Sequence, residues 1–254
     1  MSTIQVTQKY PGLRLLTYAD VPKAAYTLSE AFREDSLAKL LVCHFPTKEE
    51  QVRCETMLYE AYLRQHIAKG IVLGINESDH DFETVAIWSH PTSEQEGLDS
   101  FSTLMEAGYG KVWEAYGEQG REKVFRGMLP LLHDSCHRIL SAPQFKDKGV
   151  FTLVYLGSLE KARGKGNVRK MFDFMFENYI DNQPNTISYL ESSSPTNIPI
   201  YNRFGFHFAE DIMLGSKHDG AVEGKDYAIM SVMIRGTRGK DWRNESKPSM
   251  SQKL

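Results

Sequence analysis

Thr152-Leu153-Val154-Tyr155-Leu156, then Arg163-Gly164-Lys165-Gly166-Asn167-Val168, then apolar residues at Val168, Met171, Phe172, Met175, Phe176, Tyr179 and Ile180: the fold is decided in this stretch. The first segment is β-branched and aromatic, short enough for a buried strand. The last has the i, i+3, i+4, i+7, i+8 spacing of one face of an amphipathic helix. The order is therefore strand, glycine-containing loop, helix. Such a loop leaves backbone N–H groups unpaired at the positive end of the helix dipole, where a phosphate or pyrophosphate is stabilised. Arg163 and Lys165 add positive charge there.

Neither G-x-x-x-x-G-K-[ST] nor G-x-G-x-x-G occurs. The loop reads R-x-x-G-x-V. About thirty residues on come Tyr189-Leu190-Glu191 and then Asn197-Ile198-Pro199-Ile200-Tyr201-Asn202-Arg203-Phe204-Gly205-Phe206. This pairing resembles the GCN5-related N-acetyltransferase (GNAT) family, whose loop is [QR]-x-x-G-x-[GA] and whose later segment has an N…Y-x-[KR]-x-G-F-like form. The likeness is tight over Gly157–Phe206 and departs at Val168, where the family keeps Gly or Ala. Leu13–Pro22, Val85–Pro91 and Leu190–Tyr201 are similar, in the same order and at similar spacing, to the puromycin N-acetyltransferase-like group, which favours a small amine acceptor.

The resemblance implies an α/β GNAT fold: a mixed, largely antiparallel sheet with helices on both faces. It also implies acetyl-CoA as cosubstrate, with no metal. Leu156, Gly157 and Ser158 would pair with pantetheine by β-augmentation, and Gly157 would mark a close backbone approach or a bulge. Arg163, Gly164, Lys165, Gly166, Asn167 and Val168 would hold the pyrophosphate, and Asn197 would contact coenzyme A. Tyr201 would protonate the leaving thiolate, a phenol being well matched to a thiol; its other reading is a tyrosine packed under a helix. Glu191, at the end of strand Thr186–Leu190, would take the proton of the acceptor amine; its other readings are a cap of the Ser192–Pro195 turn or a partner for an arginine. Glu34, Asp35 and His90 are lesser acceptor-side candidates. Trp88 reads either as a wall of the acceptor pocket or as core packing.

Outward from this stretch, a strand is expected at Leu13–Leu16, then a helix capped by Asp20 with Pro22 in its first turn. A longer helix starts at the capping box Thr47–Glu50 and stops at Gly70. Strands at Gly70–Ile75 and Glu83–Trp88 form a hairpin across Asn76–His80. Thr92–Lys148 reads as a mostly helical insertion, with Pro130 starting, kinking or breaking its second half. Its aromatics, Trp113 among them, are candidates for acceptor recognition, for packing onto the sheet, or for a homodimer surface. Strands at Phe206–Leu214 and Tyr227–Arg235 close a single domain over 1–236, and 237–254 reads as a polar, disordered tail.

Composition bounds the function. Of 254 residues, 41% are apolar and 25% charged, as in an ordinary globular protein, and a net charge of −3 argues against nucleic acid as the main partner. Cys43, Cys54 and Cys136 are scattered, so reduced thiols are expected rather than a zinc site. No apolar run reaches 18 residues and the polar start is unlike a signal peptide, so no membrane role and a cytoplasmic location are expected. The end, Gln252-Lys253-Leu254, is one residue from the S-K-L peroxisomal address. The leading expectation is acetyl transfer to a small primary amine. Its rivals are a protein lysine or N-terminal acetyltransferase and a non-catalytic acyl-CoA-binding sensor.

Overall fold

The computed structural model describes residues 9–76 and 81–244. Among them, seven strands form one sheet: β1 (Leu13–Leu15), β2 (Ile71–Ile75), β3 (Thr84–Ser89), β4 (Gly149–Ser158), β5 (Thr186–Ser192), β6 (His207–Gly215) and β7 (Tyr227–Arg235). Their order is β1-β2-β3-β4-β5-β7-β6, with every neighbouring pair antiparallel except the central β4–β5 pair. A parallel pair needs a crossover, and the loop and helix that follow β4 supply it. This is the expected mixed, largely antiparallel sheet.

Alternation along the strands divides the core in two. Val85 and Ile87 of β3, Ile187 and Tyr189 of β5, and Ala228, Met230, Val232 and Ile234 of β7 belong to one apolar cluster. On that face lie α1 (Val21–Phe32), α3 (Lys48–Lys69) and the insertion. Ala86, Trp88, Leu190 and Met233 belong to the other cluster, covered by α7 (Asn167–Met175) and the π-helical turn Phe176–Ile180 that extends it. The Thr47 hydroxyl accepts from the Glu50 N–H (3.2 Å), starting α3 as its capping box requires. Gly70 ends α3 for a steric reason: a Cβ there would lie 2.5 Å from the Trp88 carbonyl oxygen.

Some elements differ from expectation. Asp20 does not cap α1; its carboxylate accepts from the Thr17 N–H (2.8 Å) and from Arg14 (2.6 and 2.8 Å), closing a 3-10 turn ahead of that helix. Asp35 instead caps the short α2 (Ser36–Val42), accepting from the Ala38 N–H at 3.0 Å. The insertion holds α4 (Phe101–Ala107), α5 (Tyr109–Lys123, kinked at Gly117), a π-helical turn (Val124–Met128) and α6 (Leu129–Leu140), with Pro130 in the first turn of α6. Both β4 and β5 run longer than their apolar cores, so Glu191 lies within β5, opposite Val232 of β7. Part of the stretch expected to be a tail is ordered. Thr237–Gly239 and Trp242–Asn244 form 3-10 turns, and the Trp242 ring sits 5.3 Å from Phe145. The hairpin turn residues 77–80 and the terminal Gln252-Lys253-Leu254 lie outside the described residues.

Candidate active site

β4 and β5 pair from Gly149↔Thr186 to Leu153↔Leu190 and no further, although β4 continues to Ser158 and β5 to Ser192. Beyond Leu153 the β4 edge is open. On its other side, β4 opposes β3 with Leu153 against Trp88 and Tyr155 against Ile87, so Val154 is the extra residue of a bulge. Val154 has a register partner on neither neighbour. A strand edge with unpaired N–H and C=O groups is what an amide-bearing chain needs for β-augmentation.

A cavity of about 480 Å³ opens at this point. Its lining takes Leu153, Val154, Tyr155 and Leu156 from β4, and Leu190 and Glu191 from β5. Asn197 and Tyr201 line it from the 3-10 turn Pro195–Asn197 and the helix α8 (Ile198–Asn202). The sheet pleat turns Glu191 to the same face as Ile187 and Tyr189. Burial disfavours its charged form and pushes the carboxyl up to about 7. A carboxyl titrating near neutrality is suited to general-base work. Tyr201 packs edge-on against Phe172 and Phe206. Burial and nearby Asp35 hold its phenol well above the ordinary value, so it remains a proton donor.

The glycine loop stands at the start of α7, apart from the cavity lining. Gly164 and Gly166 have φ of +79° and +80°, and a Cβ on either would meet nothing within 4 Å. The space over them is open, while the Arg163 and Lys165 N–H groups turn back to the Glu160 and Ala162 carbonyls (3.1 and 3.4 Å); a left-handed glycine turn leading into a helix N-terminus is a backbone form that suits an anion. Arg163 is exposed. A side-chain network anchors the loop to β3. Lys165 Nζ donates to Glu83 (2.8 Å), Asn167 Nδ2 donates to Glu83 and Thr84 (3.2 Å each), and the Thr84 hydroxyl pairs with Ser158 (2.9 Å). Glu83 is some eighty residues from its partners, and nothing local in the sequence marks it. Val168 packs against the apolar cluster under α7. The helix core thus accounts for a β-branched residue there.

Gly157 marks the close approach, but not the bulge, that its place in the strand suggests. A Cβ on it would come within 2.9 Å of Leu28 and 3.0 Å of Ala31, so the close approach is by helix α1, and the bulge is at Val154. Trp88 is fully buried under α7, edge-on to Phe172 at 5.9 Å, on the sheet face opposite Glu191. It is core and not a cavity wall. Trp113 is half-exposed outside the cavity, against Phe125 (5.1 Å) and Arg121 (4.8 Å). Asp35 lies in an adjoining small cleft, where it accepts from the Ser193 hydroxyl (2.6 Å) and so ties α2 to the end of β5. His90 does line the cavity, while Glu34 is exposed and paired with Lys39.

The insertion builds its wall with other residues: Leu98, Asp99, Met128, Leu129, Leu132, His133, Cys136 and His137, with Tyr62 and His66 of α3 opposite. Tyr62 and His66 share a helix face by their i, i+4 spacing, and Leu129, Leu132, His133, Cys136 and Leu140 share one on α6. That spacing alone is indistinguishable from core packing. Among the described residues no group of His, Cys, Asp and Glu is placed to hold a metal ion. No described helix is long and apolar enough to cross a membrane.

No family model matches the chain. An uncharacterized N-acetyltransferase of Schizosaccharomyces pombe is 31% identical over 195 residues, covering 77% of this chain and 74% of that protein. Among solved structures, arylalkylamine N-acetyltransferase 2 from Aedes aegypti matches 88% of this chain and 97% of its own, with a TM-score of 0.55 at 14% identity. A histone acetyltransferase HPA2 and related acetyltransferase from Corynebacterium glutamicum matches 95% and 99%, with a TM-score of 0.53 at 17% identity. The Drosophila melanogaster polyamine N-acetyltransferase matches 88% and 98%, with a TM-score of 0.51 at 10% identity. The structural likenesses carry the fold, and the fission-yeast relative carries the family. With its β4–β5 splay and glycine loop at the start of α7, the chain belongs to the GCN5-related N-acetyltransferases.

Proposed function

We propose that this acetyltransferase moves the acetyl group of acetyl-CoA directly onto the primary amine of a small molecule. One observation carries the reading: Glu191, its carboxyl raised to about 7, faces a cavity also lined by Tyr201 and by the open edge of β4. That edge and the open, left-handed Gly164 and Gly166 fit the pantetheine and pyrophosphate of the coenzyme. Bound there, the coenzyme supplies the acyl group activated as a thioester.

The chain's residues then have distinct tasks. Glu191 accepts a proton from the acceptor ammonium or amine, leaving a nitrogen lone pair to attack the acyl carbon. Backbone N–H groups near the Val154 bulge polarise the acyl carbonyl. As the C–N bond forms and the C–S bond breaks, Tyr201 gives its proton to the departing sulfur. The cavity fixes the two reactants relative to one another, which supplies much of the acceleration. A walled cavity of about 480 Å³ favours a small acceptor over a protein tail, which would lie in an open groove. The segments Leu13–Pro22, Val85–Pro91 and Leu190–Tyr201 support the finer likeness to puromycin-type enzymes.

Release of free thiol from acetyl-CoA, assayed against polyamines, aminoglycosides, amino acids, puromycin and lysine peptides, tests the reading. Small amines are expected to turn over and peptides not. Binding of acetyl-CoA with no amine turned over would leave a sensor, and turnover of peptides alone would move the acceptor to proteins.

A further inference from the structure

The glycine loop between β4 and α7 is flexible by composition, yet a single residue outside it holds both of its ends. Resting on the reading above that this loop carries the pyrophosphate of acetyl-CoA, we propose that Glu83 is a positioning residue for coenzyme binding. It fixes the turn around Gly166 in its anion-accepting form before the coenzyme arrives.

Glu83 stands immediately before β3, in the hairpin that β2 and β3 form beside β4. Its N–H donates to the Ile75 carbonyl at 2.8 Å, which fixes its main chain to β2. Its own carbonyl accepts from the Leu159 N–H at 2.9 Å, where the chain leaves β4 for the loop. Its carboxylate reaches the other end, accepting from Lys165 Nζ at 2.8 Å and from Asn167 Nδ2 at 3.2 Å. The segment 159–167 is thus clasped at entry and exit by one residue.

Lys165 and Asn167 are the two chain neighbours of Gly166, whose φ is +80°. Glycine has the widest backbone freedom of any residue, so a turn holding Gly164 and Gly166 loses much entropy when it is ordered. A 3-10 turn fixes the first half of the loop: the Ala162 and Arg163 N–H groups return to the Leu159 and Glu160 carbonyls at 2.9 and 3.1 Å. In the second half the return from the Lys165 N–H to the Ala162 carbonyl is longer, 3.4 Å, and the contacts to Glu83 take over. Ordering the turn in advance removes that entropy from the binding step.

Asn167 shows that the clasp is specific. The residue is only 2% exposed, and a carboxylate can only accept, so its amide nitrogen must face Glu83. The same nitrogen donates to the Thr84 hydroxyl, itself paired with Ser158 across β3 and β4. The Asn167 oxygen is left without a partner among the described residues, a desolvation cost that this orientation carries. The ion pair with Lys165 is partly exposed and screened, which makes the buried Asn167 contact the firmer hold. Lys165 beside it keeps the Glu83 carboxyl below the ordinary glutamate range, and the lysine in turn offsets a charge that would repel phosphate. Arg163 is exposed and its side chain takes no part in this network.

The test is calorimetric binding of acetyl-CoA to the full chain, with steady-state kinetics on an amine that the panel above turns over. Glu83→Ala is expected to raise Kd and KM for acetyl-CoA about tenfold, the scale of a lost charge-assisted hydrogen bond. Both kcat and the acceptor KM should stay within twofold, a split that a general support of the fold would not produce. Glu83→Gln keeps an acceptor for Asn167 but loses the charge facing Lys165. It should fall between, and it keeps the test open should the alanine variant fail to fold. Acting through Lys165, Glu83→Gln should cost little in a Lys165→Met background and its full effect in an Arg163→Gln one. Coenzyme binding that is unchanged or tighter in both Glu83 variants overturns the proposal. So do equal losses in kcat and acceptor KM, or full additivity with Lys165→Met. All three leave the acetyl-transfer reading standing, whereas a wild-type protein that binds no acetyl-CoA sinks both.

Discussion

The β4-to-α8 stretch and the insertion contribute to one cavity but are built on different terms. In the first, residues 154–201 follow one another through strand, loop, helix, strand and turn, and the side chains proposed for chemistry lie at the ends of those elements. In the second, the wall comes from α6 and the 90–99 loop, and it faces α3 from earlier in the chain. The first region depends on backbone geometry: an interrupted strand pair, a bulge and two left-handed glycines. The second depends on which side chains helix packing happens to turn inward. On the proposed reading, the chemistry is stored in a contiguous pattern and the acceptor's shape in tertiary placement.

The largest expected effect would break the first region. Glu191→Gln should lower kcat by about a thousandfold, within the ~10²–10⁴ range of general-base contributions. In the wild type, kcat/KM should rise with pH through about 7 as the carboxyl ionises, and the variant should lose that limb. The same change should stabilise the fold. A carboxyl raised in the folded state holds its proton where the unfolded chain has released it. Its favourable contribution is therefore complete below the ordinary glutamate range near 4.5 and is lost as pH rises through about 7. At pH 8 the wild type keeps a buried charge that Gln lacks, so Glu191→Gln should melt a few degrees higher there and lose this advantage at pH 4. A variant dead at every pH and less stable at pH 8 would make Glu191 a structural carboxylate instead. Tyr201→Phe comes next: roughly a hundredfold loss in kcat with little change in KM, measured by thiol release. The ring contacts with Phe172 and Phe206 survive in that variant, so a loss of Tm would point to a packing role.

Much of the first region was legible in the sequence for a physical reason. A strand of period two, a loop of glycines and a helix of period 3.6 are local patterns, and Glu191, Asn197 and Tyr201 fall at fixed offsets from them. Trp88 shows where that reading stopped short. Strand alternation places Trp88 and Ile87 on opposite faces, but no local pattern tells which face the cavity takes. Gly157 was legible as a close approach, yet the approaching group is α1, more than a hundred residues earlier. Glu83 was invisible because its partners Lys165 and Asn167 are distant in sequence. In the insertion, the inward face of α6 follows the spacing that any amphipathic helix would follow. An aromatic such as Trp113 is conspicuous in sequence, but bulk does not report direction.

The insertion can be tested by a pair of substitutions that differ only in which way the side chain points. Leu132 lines the cavity from α6. Leu132→Trp should fill part of it and raise the acceptor KM about tenfold, with the KM for acetyl-CoA moving less, because the added volume stands on the acceptor side. The smallest effect belongs to Trp113→Ala. This ring lies outside the cavity, 37% exposed, with Arg121 4.8 Å and Arg126 6.0 Å from its centroid. Removing it forfeits contacts with these two cations and with Phe125, a loss of about 1 kcal/mol. No group facing the reactants moves, so kcat and both KM values should stay within twofold, read beside a Tm a few degrees lower. A Trp113→Ala enzyme with a tenfold higher acceptor KM would show that the outer surface of the insertion reaches the substrate. The division of labour between a contiguous catalytic stretch and a wall drawn from α6 would then have to be redrawn.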